Sequence, residues 1–279
     1  MTVARQQASG DSPSTPTGES AWSISLFEHM SERSESAPSM HYIRRMAEPT
    51  TPSGTGSLSR PIAVLFDLDG TLIDSIGLLL ASVRHAFEGF NGRAPTEQEW
   101  VAGIGTPLGK QLRAFCESEE QLEALTQRYR TFQRASHDRL TSAFPGTLEV
   151  LGALADAGHP MGIVTSKSNE MMERALSLTG IAPYMTTSIG CDSCAIHKPD
   201  PFPVRMALGE LGYQSHEAVF VGDSPHDIHA GNAAGVVSIA ALWGPFTRDQ
   251  LELAKPDHYL DDISSLPGLV RRIQNRPAV

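Results

Sequence analysis

The chain reads as an α/β protein, a doubly wound parallel sheet carrying a helical insertion. Two observations predict this. From residue 61 onward short apolar runs alternate with amphipathic stretches, the pattern of βαβ units whose sheet is covered on both faces. One long interval, between the first apolar run and a helix expected from Thr147, breaks the alternation and carries helical periodicity alone.

Taken in order, residues 1–60 are rich in Ser, Thr, Pro and Gly ("SGDSPSTPTGES") and show no sustained period. Such a segment cannot bury enough apolar surface to order itself, so disorder is expected there. Arg44 and Arg45 lend a faint targeting flavour that interspersed acids weaken, and Met46 is a candidate translation start just upstream of the first strand. "IAVLF" (62–66) predicts that strand, and it runs directly into "DLDGT" (67–71). Next come "IGLLLASVRHAFEGF" (76–90), "TEQEWVAGI" (96–104) and "LEALTQRYRTFQRASHDRL" (122–140), with apolar positions at three- and four-residue spacing. "FPGT" (144–147) marks the return to the sheet. A structureless loop of this length is rare in a compact domain. The expectation is therefore a helical insertion over 78–141 within a core made of 61–77 and 142–279.

The remaining strands are expected at "MGIVT" (161–165), "TTSIG" (186–190), "AVFVG" (218–222) and "VVSIA" (236–240). Between them "TLEVLGALADAG" (147–158), "NEMMERALSLTG" (169–180) and "PVRMALGELG" (203–212) each close on a glycine suited to a left-handed helix C-terminus. The arrangement is Rossmann-like.

Composition narrows the function. No apolar run approaches the roughly 20 residues of a membrane span and no signal-peptide core follows Met1, so the chain is expected to be cytoplasmic with no membrane partner. A net charge of −10 without a Lys/Arg cluster argues against nucleic acid. Three cysteines do not make a disulfide framework. Cys191 and Cys194, with His197 nearby, have the spacing of half a zinc site, but no second half is visible and a loop-packing role is expected. Oligomeric state cannot be read from the sequence.

The chemistry lies just past the strand ends. Asp67 and Asp69 follow the first strand, Thr165, Ser166 and Lys167 the second, Lys198 the third, and Asp223 and Asp227 the fourth. Strand ends of a parallel sheet share one edge, where open α/β sheets bind ligands. Two like charges about 4 Å apart cost on the order of 4 kcal/mol at an effective dielectric of about 20, so a cation must sit among these acids. Oxygen ligands point to Mg²⁺, which typically also takes a phosphate oxygen, so the substrate partner implied is a small phosphorylated compound. Asp67 is then the candidate nucleophile and Asp69 the general acid and base. Thr165 would hydrogen-bond the transferring phosphoryl group, Lys198 would offset its charge, and Asp223 would hold the metal with Asp67. Asp227 orients Lys198 or metal-bound water. Gly70 turns the chain, and with Thr71, Ser166 and Lys167 it is placed around the phosphate, although a lysine at a helix start is often merely solvated.

These segments together resemble the haloacid dehalogenase superfamily, in the branch that includes phosphoglycolate phosphatases and PpaX-type pyrophosphatases. "DLDGT", Thr165 in "VTSKS", Lys198 in "HKPDP" and "GDSPHD" (222–227) match its four motifs in order over about residues 62–245. The resemblance implies that the backbone carbonyl of Asp69 is a metal ligand and that the insertion is a cap closing over the cleft. It also implies a phosphoric monoester hydrolase acting on a phosphoglycolate-like metabolite, with pyrophosphate hydrolysis or a sugar phosphomutase as alternatives. Ser166 departs from the Asn that many phosphoglycolate phosphatases carry there. A binding module that has lost its chemistry would need neither Asp67 nor Asp69.

Four further features have two readings each. "GIGTPLGK" (103–110) is either an ordinary helix connection or a cap loop that brings Thr106 and Lys110 to the leaving group. Trp243 in "LWGPF" either packs in the core or lines the cleft. His226 and His229 are expected to be packed or exposed rather than catalytic.

Overall fold

The computed structural model describes residues 60–275; the expected disordered extension, 1–60, lies outside the described residues except for Arg60. In chain order the elements begin with β1 (Ala63–Phe66), β2 (Ile73–Asp74), α1 (Ile76–Phe87), α2 (Glu97–Gly103), α3 (Leu108–Arg113), α4 (Glu119–Ser136) and β3 (Ser142–Ala143). They continue with α5 (Thr147–Asp156), β4 (Met161–Val164), α6 (Asn169–Leu178), β5 (Met185–Ile189), α7 (Phe202–Leu211), β6 (Ala218–Gly222) and α8 (Pro225–Ala234). The last are β7 (Val237–Ala241), α9 (Arg248–Glu252), β8 (His258–Leu260) and α10 (Leu266–Gln274).

Six of the strands form one parallel sheet in the order β5-β4-β1-β6-β7-β8. The chain leaves β1 for β4 and β5 on one side, then crosses to β6, β7 and β8 on the other. Counting only these strands, the order is 3-2-1-4-5-6, so β1 and β6 flank the point at which direction reverses and a ligand crevice opens.

The alternation of β1 explains why the sheet is buried on both sides. Val64 and Phe66 pack into one core with Leu151, Leu154, Met172 and Leu269. Ala63 and Leu65 pack into the other with Val204, Leu208 and Ala230. Side chains two apart share a face of a strand, so four consecutive apolar residues serve two cores.

Between β2 and β3 the chain forms the helical cap. Its own core holds Val83, Phe87, Trp100, Leu112, Leu125 and Tyr129. Helix α2 opens with a reciprocal capping box between Thr96 and Glu99, which satisfies two orphaned backbone groups. A further cluster, in which Ile104 meets Ile228, Ala240 and Phe246, joins the cap to the sheet layer.

The antiparallel pair β2 and β3, helix α3 and the edge strand β8 were not expected from the sequence. Helix α3 begins inside the stretch read as a loop. Among the described residues no helix is long and apolar enough to cross a membrane.

Candidate active site

The site is built at the carboxyl ends of β1, β4 and β6. The amide of Asp67 donates to the carbonyl of Val221, which pins the residue after β1 to its neighbour β6. The next turn passes through Gly70 at φ +89, where a Cβ would sit 2.5 Å from Asp223 Oδ2. Glycine is required there both by conformation and by space.

Lys198 organises the acids. Its ammonium donates to Asp67 Oδ1 at 2.6 Å, Asp227 Oδ1 at 2.6 Å and the carbonyl of Val164 at 3.0 Å. Three acceptors use all three of its protons. Burial would lower the pKa of this lysine, but Asp227 and Asp67 outweigh it and hold the group charged. Asp227 Oδ2 is held by the hydroxyl and amide of Ser224, the N-cap of α8, so the helix start fixes its direction.

Asp67 and Asp223 are both buried. Burial, opposed by Lys198, pushes Asp67 up to about 7, with Asp227 and Asp69 adding to the rise. Burial together with Asp67 and Asp227 raises Asp223 well above the usual carboxylate range. Thr71 is fully buried and donates to Asp223 Oδ1 at 2.7 Å, whereas Asp223 Oδ2 has no hydrogen-bond partner among the described residues. Oxygens of Asp67, Asp223 and Asp227 all lie within 4.8 Å of one another. Three acids, one orphaned buried oxygen and oxygen donors alone fit a hard divalent cation.

Asp69 faces a different partner. Its Oδ1 accepts from Lys167 Nζ at 2.7 Å and from the Ser75 hydroxyl at 2.5 Å. Lys167 is buried and lines the cavity described next, so it is not the solvated lysine of the alternative reading. The Thr165 hydroxyl accepts from the amide of Lys167 at 3.2 Å, and its amide donates to Ile189 of β5.

A cavity of about 140 Å³ lies over this edge, lined on the sheet side by Asp67, Asp69, Thr165, Ser166 and Lys167. The cap supplies the opposite wall. Thr106 belongs to that wall, its hydroxyl donating to the carbonyl of Gly103 at 2.8 Å. Lys110 is exposed and is absent from the lining, to which α3 contributes Leu108, Gly109 and Gln111 instead. Trp243 packs against the core, donates to the carbonyl of Thr71 at 2.9 Å and is absent from the cavity lining. His229 is exposed, and half-buried His226 lies beside Gly105, its pKa lowered by burial.

Cys191 reaches the cavity, its thiol pushed up to about 12 by burial, while Cys194 donates to the carbonyl of Ile196. Neither belongs to the acidic metal-capable cluster.

Sequence reasoning missed Ser75, Gln111, Tyr129, Arg130 and Gln133. A usable signal existed for two of them. Tyr129 and Gln133 fall on the buried stripe of α4, where a polar group needs a reason to be.

The chain matches the family described as haloacid dehalogenase-like hydrolase over residues 64–241. It is 35% identical over 207 residues to pyrophosphatase PpaX of Bacillus velezensis, covering 74% of this chain and 95% of that one. Pyrophosphatase PpaX of Bacillus pumilus is 36% identical with the same coverage. A predicted phosphoglycolate phosphatase from Haemophilus somnus superposes with a TM-score of 0.69 at 25% identity, covering 75% of this chain and 97% of that one.

Proposed function

We propose that this chain, which belongs to the haloacid dehalogenase-like hydrolase family, is a Mg²⁺-dependent phosphatase that hydrolyses a small phosphorylated metabolite through an aspartyl-phosphate on Asp67. The observation that carries the reading is the meeting of Asp67, Asp223, Asp227 and Lys198, contributed by distant parts of the chain, beside a cavity that Asp67 lines. In this reading residues 78–141 act as the cap over a core of 61–77 and 142–279.

Asp67 Oδ1 is held by Lys198, and Oδ2 makes no hydrogen bond among the described residues. That second oxygen attacks phosphorus as the bond to the leaving oxygen breaks. Asp69 hands its proton to the leaving oxygen, then takes one from the water that attacks the phosphorus of the acyl phosphate. The products are free phosphate and a restored Asp67 carboxylate. Thr165 donates its hydroxyl proton to a phosphoryl oxygen, and Lys198 offsets charge from behind Asp67. Asp67, Asp223 and the backbone carbonyl of Asp69 are assigned to the metal, Asp227 directly or through water, and Thr71 acts by holding Asp223 in place. When bound, Mg²⁺ supplies the positive charge that lets carboxylates and phosphate share the cleft.

The leaving group is a phosphoglycolate-like alcohol, for which the structural relative from Haemophilus somnus gives support. A second reading, pyrophosphate, is favoured by the likeness to PpaX enzymes over almost their whole length. Phosphate release should be followed from phosphoglycolate, pyrophosphate and a hexose 1-phosphate, with and without Mg²⁺, for the native protein and Asp67→Asn. Turnover is expected to require Mg²⁺ and to fall at least about 10³-fold in the variant. Undiminished release by Asp67→Asn sinks the covalent route.

A further inference from the structure

The cavity over the acids has two walls of different character. The sheet side is charged, and its lysine, Lys167, is already engaged with Asp69. The cap side is mostly apolar, built from Leu79, Trp100, Ile104 and Leu108, and contributes a single cation, Arg130 on α4.

Arg130 differs from the basic residues around it. Arg128 donates to the carbonyls of His85 and Glu88. Arg134 forms a two-point pair with Glu170 at 2.9 and 2.6 Å. Arg174 is engaged with Asp138 and the carbonyl of Arg134. Arg130, an exposed residue, makes no hydrogen bond or ion pair among the described residues, although it lines both the cavity and a smaller pocket that Glu170 and Asp192 also line. Of the nearby carboxylates, Glu170 is hydrogen-bonded by Arg134 and feels Arg130 only as a further positive charge, and Asp192 accepts from the amide of Asn169 at 2.8 Å. A guanidinium carries five donors in a fork that matches a carboxylate or phosphate.

The geometry points to Arg130 as the residue that selects the leaving group: it binds a second anionic group on the substrate, one carried by the leaving fragment rather than by the transferred phosphoryl. This rests on the hydrolase reading above and sharpens it. The substrate class is a phosphate ester or anhydride whose leaving group carries a carboxylate or a further phosphate, chemistry shared by both leaving groups considered there. The two ends of the substrate are then read by different parts of the chain. Asp67 and Thr165 hold the phosphoryl group, with Lys198 offsetting charge from behind Asp67, while α4 holds the distal charge.

The test compares the native protein with Arg130→Gln, Arg130→Lys and Arg84→Gln, all with Mg²⁺. Arg84 pairs with Glu97, and its loss removes the same charge from outside the cavity lining. Substrates are phosphoglycolate, pyrophosphate and p-nitrophenyl phosphate, whose leaving group has no second anion. Arg130→Gln should lower the ratio of kcat/KM for the better doubly charged substrate to that for p-nitrophenyl phosphate by about 10- to 100-fold. Arg130→Lys should recover part of the loss, and Arg84→Gln should leave the ratio as it is.

Selective loss with phosphoglycolate identifies a carboxylate, and selective loss with pyrophosphate a phosphate. An equal fall with all three substrates, or a ratio that moves less than about 2-fold, overturns the assignment. Calorimetric binding of methylenediphosphonate and phosphonoacetate against methylphosphonate gives a readout independent of turnover. The first two should lose affinity in Arg130→Gln relative to the third, and equal losses overturn the assignment. If the native protein releases phosphate from none of the substrates, the hydrolase reading fails while the binding comparison still decides Arg130.

Discussion

The hydroxyl of Ser166 donates to the carbonyl of Gly105 at 2.6 Å, so the residue beside Thr165 ties the sheet edge to the cap. Gly105 has φ +95, and a Cβ there would lie 2.7 Å from the Ser224 hydroxyl. The cap loop therefore presses on the ends of two strands at once, β4 through Ser166 and β6 through Ser224. Where the sequence departs from many phosphoglycolate phosphatases, the departure falls on a contact between the sheet edge and the cap.

Ser166→Ala removes that donor and leaves Thr165 untouched. A neutral hydrogen bond contributes about 0.5–1.5 kcal/mol, so KM should rise about 2- to 10-fold with a smaller change in kcat. Steady-state kinetics with the best substrate checks this. A fall in kcat alone would place Ser166 in the chemistry rather than in closure.

Lys198→Met strands Asp67 and Asp227 in a buried site without their shared cation. Breaking a buried ion pair from one side costs about 3–5 kcal/mol, so chelator-treated protein at neutral to mildly basic pH should unfold at markedly lower denaturant. Lys167→Met should leave more stability intact, because Asp69 keeps Ser75 and is less deeply buried than Asp67. Chemical denaturation of the two variants distinguishes them, and equal midpoints would count against Lys198 as the organising group.

Gly70→Ala places a methyl against Asp223 Oδ2 and forces an L-residue into left-handed backbone. The backbone term alone is about 1 kcal/mol or more, and the clash displaces the oxygen assigned to the metal. The expected outcome is a loss of Mg²⁺-dependent stabilisation larger than the loss of intrinsic stability. Melting curves taken with chelator and with Mg²⁺ separate the two.

Metal-free stability should fall as pH rises from about 4 to about 7. Asp67 is pushed up to about 7 by burial, and Asp223 is raised in the same direction, whereas both ionise near 4 in an unfolded chain. Across that window the folded protein holds protons that the unfolded chain has released, so raising the pH favours unfolding. Mg²⁺ must displace the same protons, so its stabilising effect should grow over the same interval. Asp223→Asn should flatten the slope. Chelated protein that melts higher at about pH 8 than at about pH 5 would contradict this account.

The sheet was legible because a strand covered on both faces must be apolar throughout, and β1, β4 and β6 are fully buried. Strand β8 escaped notice for the opposite reason. At the sheet edge, three residues with a half-buried His258 and Tyr259 carry no such run. Helix α3 was hidden by Gly109 and by Pro107, which reads as a turn but here sits at the N-cap. The acids past the strand ends were visible because several carboxylates at one edge require a cation. The cap wall was legible only in part: Tyr129 and Gln133 are polar groups on a buried stripe, whereas Arg130 looks like an ordinary position of an amphipathic helix until the helix is placed over the cavity.

The position of β1 between β4 and β6 has a last consequence. Its backbone is bonded to a neighbour on each side, so its amides can exchange with solvent deuterium only when the central sheet comes apart. Asp67, one residue beyond, inherits that protection, whereas α4, which carries Arg130, rests through Leu125 and Tyr129 on a separate small core whose opening does not require the sheet to part. On warming, discrimination between leaving groups should therefore decay before the capacity to cleave a phosphate bond does.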